Sequence, residues 1–164
     1  MTSQVERQPV QVGILGVGAI TQVVHLPILS ERPDVDVIAV SDPDRLKAET
    51  LGARFEVPRV LSNEEILSDD QIQAAMICTP NHLHESLAVE ALERGKHVLV
   101  EKPLAMDPMG VQRVLDAAAA SGRHLAVGMN HRFRPDVGAL ASFVAGGELG
   151  DLYSVRANSL ARKM

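Results

Sequence analysis

The chain has 164 residues, 46% hydrophobic and 23% charged, an ordinary globular balance with enough length for one core. A net charge of −5, no Lys/Arg run and 2% aromatics without a tryptophan argue against nucleic-acid binding, which needs a basic track or stacking platforms. One cysteine, Cys78, excludes an intrachain disulfide, no apolar window approaches the ~20 residues of a membrane span, and Met1–Pro9 is a polar tail unlike a signal peptide. A cytoplasmic protein without membrane contact is expected.

Gln11–Leu15 alternates into an apolar strand that runs into Gly13-Ile14-Leu15-Gly16-Val17-Gly18-Ala19-Ile20-Thr21. Gly16 permits a tight turn off the strand, and Gly18 lets backbone N–H groups approach a pyrophosphate at the positive end of the following helix. Alone, such a turn is a weak signal, because many strand-to-helix turns use glycine for positive φ. Thr21 stands where a small residue is usual, so slight splaying or a hydroxyl–phosphate contact is expected. Pro27 should break or kink the helix near His25-Leu26-Pro27. Val35–Val40 is a second strand ending in Ser41-Asp42. Asp42 lies about 24 residues after Gly18, where a nucleotide-binding βαβ unit carries the acid that accepts ribose hydroxyls. Followed by Pro43, it also has the character of a helix cap, and the two roles are compatible.

A helix over about Asp44–Phe55 and a short strand at Arg59-Val60-Leu61 follow, then a capping box, Ser62-Asn63-Glu64-Glu65. Ala74–Cys78 is a strand closed by Thr79-Pro80. Asn81 is placed to cap a helix that carries Leu83, Leu87, Ala88, Ala91 and Leu92 on one face and closes at Gly95. His82 and His84 are two apart, do not face each other on a helix, and have no suitably spaced partner, so no metal site is read here. Cys78 reads as a buried strand residue rather than a nucleophile. His84 reads either as a cofactor contact at the mouth of the site or as a polar helix start.

Val98–Val100 reads as a strand buried on both faces, stopped by Glu101-Lys102-Pro103. At the carboxyl end of a parallel strand this acid and base face the ligand crevice. Asp107-Pro108 opens a helix that continues through Ala120 to Gly122. His124–Met129 is a sixth strand. A helix over about Asp136–Ala145, glycine turns at Gly146-Gly147 and Gly150, and a strand-like run Leu152–Ser159 lie beyond it. The repeated strand–helix pattern specifies an α/β fold with a doubly wound parallel sheet and right-handed crossovers.

Taken together, Gly13–Ile20, Asp42, Cys78–His84, Ala91–Pro103 and Asn130-x-Arg132-Phe133-x-Pro135 resemble the Gfo/Idh/MocA family of nicotinamide-dependent oxidoreductases. The specific part is Thr-Pro-Asn-x-x-His combined with Glu-Lys-Pro. The resemblance implies a Rossmann domain over 10–129, after the tail over 1–9. It also implies Lys102 as the catalytic acid/base beside the nicotinamide. Cofactor-binding roles fall on Gly16, Gly18, Ala19, Ile20, Asp42, Thr79, Asn81, His84, Glu101, Asn130 and Arg132; Arg134 matches no position. NAD is the implied cofactor, with NADP the other candidate, and the implied substrate is a sugar or polyol handled by a homo-oligomer. The Asp42 charge disfavours a 2′-phosphate, and Arg45, one helical turn on, is the residue that would admit one. A free lysine is almost wholly protonated at neutral pH. Burial and a cationic nicotinamide ring favour the neutral amine, while Glu101 opposes them. A cis Lys102–Pro103 peptide is also expected, to turn the lysine into the cleft.

Members of that family are about twice this long and add a second α/β domain that binds substrate and brings an Asp-x-x-x-His helix. On that resemblance, 130–164 is the truncated start of the second domain, and the chain alone should bind dinucleotide weakly without turnover. Leu152–Ser159, lacking strand neighbours, should be disordered or paired with a second copy in a dimer. Two other functions remain in view. One is a non-catalytic nucleotide-binding regulatory module. The other is an S-adenosylmethionine-dependent methyltransferase, against which the Glu-Lys-Pro strand end argues.

Overall fold

The computed structural model of the protein describes residues 8–158. At its centre is β1 (Val10–Leu15), whose alternation sends Val12 and Ile14 into one apolar layer and Leu15 into the other. β1 pairs on one side with β2 (Val35–Ser41) and on the other with β3 (Ala74–Ile77). β4 (His97–Val100) and β5 (Leu125–Val127) extend the sheet, which is parallel throughout, in the order β2-β1-β3-β4-β5. The order reverses between β1 and β3. In sheets of this kind a crevice opens at that point, outside the carboxyl ends of the strands.

The helices cover the sheet as their caps and apolar faces dictate. After β1, Thr21–His25 winds as a π-helix, and α1 (Leu26–Leu29) resumes with Pro27 in its first turn, so the expected break is present. α2 (Arg45–Arg54) is capped by Asp44, whose side chain accepts from the Lys47 N–H, and not by Asp42. α3 (Asn63–Ser68) opens on the Ser62–Glu65 capping box. α4 (His84–Glu93) buries Leu87, Ala88, Ala91 and Leu92. Asn81 does not cap it: Pro80 takes the cap position of a 3-10 turn, Asn81–Leu83, and no side-chain bond forms there. α5 (Pro108–Ser121) runs from its Asp107 cap to Gly122 at φ 64°.

Two sequence expectations change in the sheet. Arg59-Val60-Leu61 makes a single bridge, Val60 to Val40, because Pro58 precedes it and the Ser62 cap follows at once. β4 is buried on one face only: Val98 and Val100 are covered by the layer that includes Leu87, Leu92 and Val114, whereas Leu99 is exposed. The opposite layer, with Val12, Ile14, Val40 and Met76, covers β1–β3 and stops there.

The chain divides into one unit up to Gly128 and a second from Met129. The second contains a 3-10 turn, Asn130–Phe133, and α6 (Pro135–Ala145). No strand forms over 152–158, since no described residue pairs its N–H and C=O groups; Ser159 lies outside the described residues. Among the described residues no helix is long and apolar enough to cross a membrane.

Gly16 sits at φ 91°, and a Cβ there would lie 2.7 Å from the Cys78 carbonyl oxygen, whereas a Cβ on Gly18 meets nothing within 4 Å. Gly16→Ala is therefore expected to cost about 1–3 kcal/mol, read as a lower urea midpoint at unchanged slope. Gly18→Ala should unfold near the parent midpoint. A Gly16→Ala protein as stable as the parent would contradict this packing.

Candidate functional site

The turn after β1 is closed by its own neighbours. Gly16 N–H donates to the Ser41 carbonyl at 2.8 Å, and Val17 N–H donates to Asp42 Oδ2 at 3.0 Å. The Thr21 hydroxyl, fully buried, donates to the Gly16 carbonyl at 2.8 Å. It thus locks the turn from below and is not among the residues that line the crevice. Behind the turn, burial pushes the Cys78 thiol up to about 11; the Thr21 hydroxyl opposes this and the Glu101 charge adds to it. A thiol held neutral in this way is no nucleophile.

Between this turn and the end of β3 lies a crevice of about 390 Å³. Gly16, Gly18, Ala19, Ile20, Asp42 and Thr79 line it, together with Lys47 and Asn63. A neighbouring crevice of about 340 Å³ shares Asp42, Pro43 and Asn63. The Thr79 hydroxyl is buried and has no hydrogen-bond partner among the described residues. Buried polar groups are normally satisfied, so an orphan hydroxyl beside a crevice points to a ligand. With open space above Gly18 and N–H groups at the turn, these residues fit the pyrophosphate and ribose of a dinucleotide.

Asp42 ties the turn to α2. Its Oδ1 accepts from Asp44 N–H at 3.0 Å and from Lys47 Nζ at 2.8 Å. Burial alone would raise this carboxyl, but the Lys47 ammonium and the two N–H donors outweigh it and hold it below the ordinary aspartate range. Arg45, the cation expected near the ribose, pairs instead with Glu49 at 2.8 Å along the surface of α2.

The end of β4 carries the other half of the site. Glu101 turns inward, where His25 Nε2 meets its Oε1 at 2.9 Å, and its Oε2 accepts the Lys102 N–H at 3.3 Å. Packed this way, Glu101 braces the strand end and does not line the crevice. Lys102 is exposed, and the bond to Pro103 is cis. His84 is buried: Nδ1 lies 2.6 Å from the Pro103 carbonyl and Nε2 2.8 Å from the Thr79 carbonyl. Both neighbours are backbone carbonyl oxygens, so the ring bridges two acceptors contributed by separate loops. His84 therefore ties the β3 and β4 ends together beneath the crevice and does not stand at its mouth. His82 is exposed, and among the described residues no three His, Cys, Asp or Glu side chains gather to hold a metal. Asn81 is exposed on its turn. Asn130 and Arg132 lie on the Asn130–Phe133 turn of the second unit, and Arg134 pairs locally with Asp136.

Residues 10–129 match the model of an oxidoreductase family with an NAD-binding Rossmann fold, GFO_IDH_MocA. The chain belongs to the Gfo/Idh/MocA family. Among family relatives, D-glucoside 3-dehydrogenase of Escherichia coli is 32% identical over 163 residues, which are 99% of this chain and 46% of that protein. Inositol 2-dehydrogenase 4 of Saccharopolyspora erythraea is 34% identical over 142 residues, 85% of this chain and 42% of that one. The crystal structure of KijD10, a 3-ketoreductase from Actinomadura kijaniata in complex with TDP-benzene and NADP, superposes with a TM-score of 0.79 at 28% identity. That superposition covers 85% of this chain and 44% of the ketoreductase. The chain thus spans less than half the length of these relatives.

What sequence reasoning missed in this site are His25, Lys47 and Asn63. His25 marked only the helix break, although a half-buried histidine beside the buried Leu26 needs a polar partner, and Glu101 is that partner.

The depressed Asp42 carboxyl predicts a pH signature. Its stabilising contribution is complete above the unfolded value of ~3.9 and is lost as pH falls through the lower native one. Asp42→Asn should therefore lose less stability than the parent on acidification below about pH 4, read by denaturant titration across pH. Parallel stability curves for the two proteins would contradict the ion pair.

Proposed function

We propose that the protein is the dinucleotide-binding part of an oxidoreductase that moves hydride between NAD(P) and a sugar or polyol, with Lys102 as acid/base. The observation that carries this reading is the crevice lined by Gly16, Gly18, Asp42 and Thr79 after β1, β2 and β3, with the unpartnered Thr79 hydroxyl buried beside it. The bound dinucleotide supplies the hydride acceptor or donor. Gly16 and Gly18 leave room for the pyrophosphate, and the Thr79 hydroxyl pairs with it or with the adjoining ribose. The Asp42 carboxylate accepts a ribose hydroxyl, a contact of roughly 1.5–3 kcal/mol that favours NAD. Lys102 Nζ takes the proton of the substrate hydroxyl during oxidation and returns it in reduction. Glu101, held by His25, and His84, bound to the Pro103 carbonyl, fix the backbone from which Lys102 projects. Asn130 and Arg132 belong to the same reading as cofactor- or substrate-facing residues, and so do a cytoplasmic location and a homo-oligomeric state.

The sugar or polyol class is supported by the glucoside and inositol dehydrogenases among the relatives. On this reading the substrate-selecting surface lies in the larger part of each relative that the match leaves uncovered, and 130–164 begins it. Isothermal titration tests the cofactor half directly: NAD is expected to bind and S-adenosylmethionine to give no heat. Lys102→Ala should retain NAD binding, and the 164-residue chain should not reduce NAD with an inositol or a glucoside. Preferential binding of S-adenosylmethionine, or loss of NAD binding in Lys102→Ala, would contradict the assignment.

A further inference from the structure

The Asp42 carboxylate is engaged before any ligand arrives. Oδ2 holds the Val17 N–H, while Oδ1 holds both the Asp44 N–H and the Lys47 ammonium. Each carboxylate oxygen offers two good acceptor positions, so Oδ1 is full and Oδ2 has one left. Asp42 can therefore take one ribose hydroxyl while Lys47 stays and two only when Lys47 leaves. Lys47 is free to do so. Its side chain is 36% exposed against 9% for Asp42, it stands on the solvent side of the pair, and it lines the same crevice. Arg45 is committed to Glu49 one turn further on.

We propose that Lys47 decides how this protein reads the ribose 2′ position, its ammonium moving from Asp42 to a 2′-phosphate so that NADP is accepted as well as NAD. The inference rests on the crevice being a dinucleotide site. A bare Asp42 would repel a phosphate, and the Lys47 ammonium supplies the opposing charge within reach of the same atoms. Toward NAD the same ammonium is a competitor, because it occupies the oxygen that a second ribose hydroxyl needs. Removing Lys47 should thus move the two cofactors in opposite directions, which a merely structural lysine would not do.

Titration of NAD and of NADP into the purified protein, Lys47→Gln and Lys47→Arg tests this. The parent is expected to bind the two dinucleotides within about tenfold of each other. Lys47→Gln should weaken NADP about tenfold or more and tighten NAD about two- to fivefold, while Lys47→Arg keeps NADP binding. Added salt should weaken NADP more than NAD in the parent, and this difference should vanish in Lys47→Gln. Equal weakening of both cofactors in Lys47→Gln, or unchanged NADP binding, overturns the proposal. If the parent binds neither dinucleotide, the crevice assignment itself fails and this inference with it.

Discussion

The contact between Gly16 and the Cys78 carbonyl governs the rest of the molecule. β1 and β3 are neighbours in the sheet, and the chain leaves them in opposite directions. The β1 turn can leave its strand only by passing against the backbone that ends β3, and only a residue without a Cβ fits there. That passage sets the floor of the crevice. Asp42 arrives from β2 to hold the Val17 N–H on one side, and Thr79 continues from Cys78 on the other. Two inputs from different strands thus meet the glycine turn because the sheet reverses order beside it.

The lysine side of the site depends on a second set of constraints, provided by two histidines with different tasks. His84 joins the Thr79 and Pro103 carbonyls and so ties together the loops after β3 and β4. His25 reaches from the π-wound segment after β1 to Glu101 and ties the first helix to the same strand end. The π-turn has a local cause in Pro27, which has no N–H to continue the α-helical ladder. The segment that carries Lys102 is therefore held from both directions, while the lysine itself remains exposed. Such a division suits an acid/base group, whose backbone must be fixed and whose amine must reach a substrate.

How far the sequence discloses this arrangement depends on how far apart the interacting residues stand. The glycine turn, the capping box, the caps at Asp107 and Gly122 and the strand ends are local, and residue identities read in order foretell them. The Arg59–Leu61 strand fails because neighbours of the right local character also confine it, and a three-residue run between Pro58 and a cap cannot do more than bridge. His84 looked like a ligand-facing residue because it begins a helix beside the crevice, yet its ring packs downward onto two carbonyls contributed by separate loops. The His25–Glu101 and Asp42–Val17 bonds span distant parts of the chain and become visible only when the sheet brings their strands together. Lys47 was passed over for Arg45 although both lie on the first turn of α2. Arg45 reaches back along the helix to Glu49, whereas Lys47 reaches Asp42 beside the crevice.

On the proposed reading, the crevice between the glycine turn and Thr79 seats a dinucleotide whose nicotinamide end comes to Lys102. A crystal structure of the protein with NADH bound tests it most directly. The expected complex has the pyrophosphate over Gly16–Gly18, the Thr79 hydroxyl hydrogen-bonded to the cofactor, a ribose hydroxyl on Asp42, and the nicotinamide beside Lys102. A dinucleotide bound elsewhere, or one in this crevice that leaves the Thr79 hydroxyl unpaired and Lys102 remote from the ring, would contradict it.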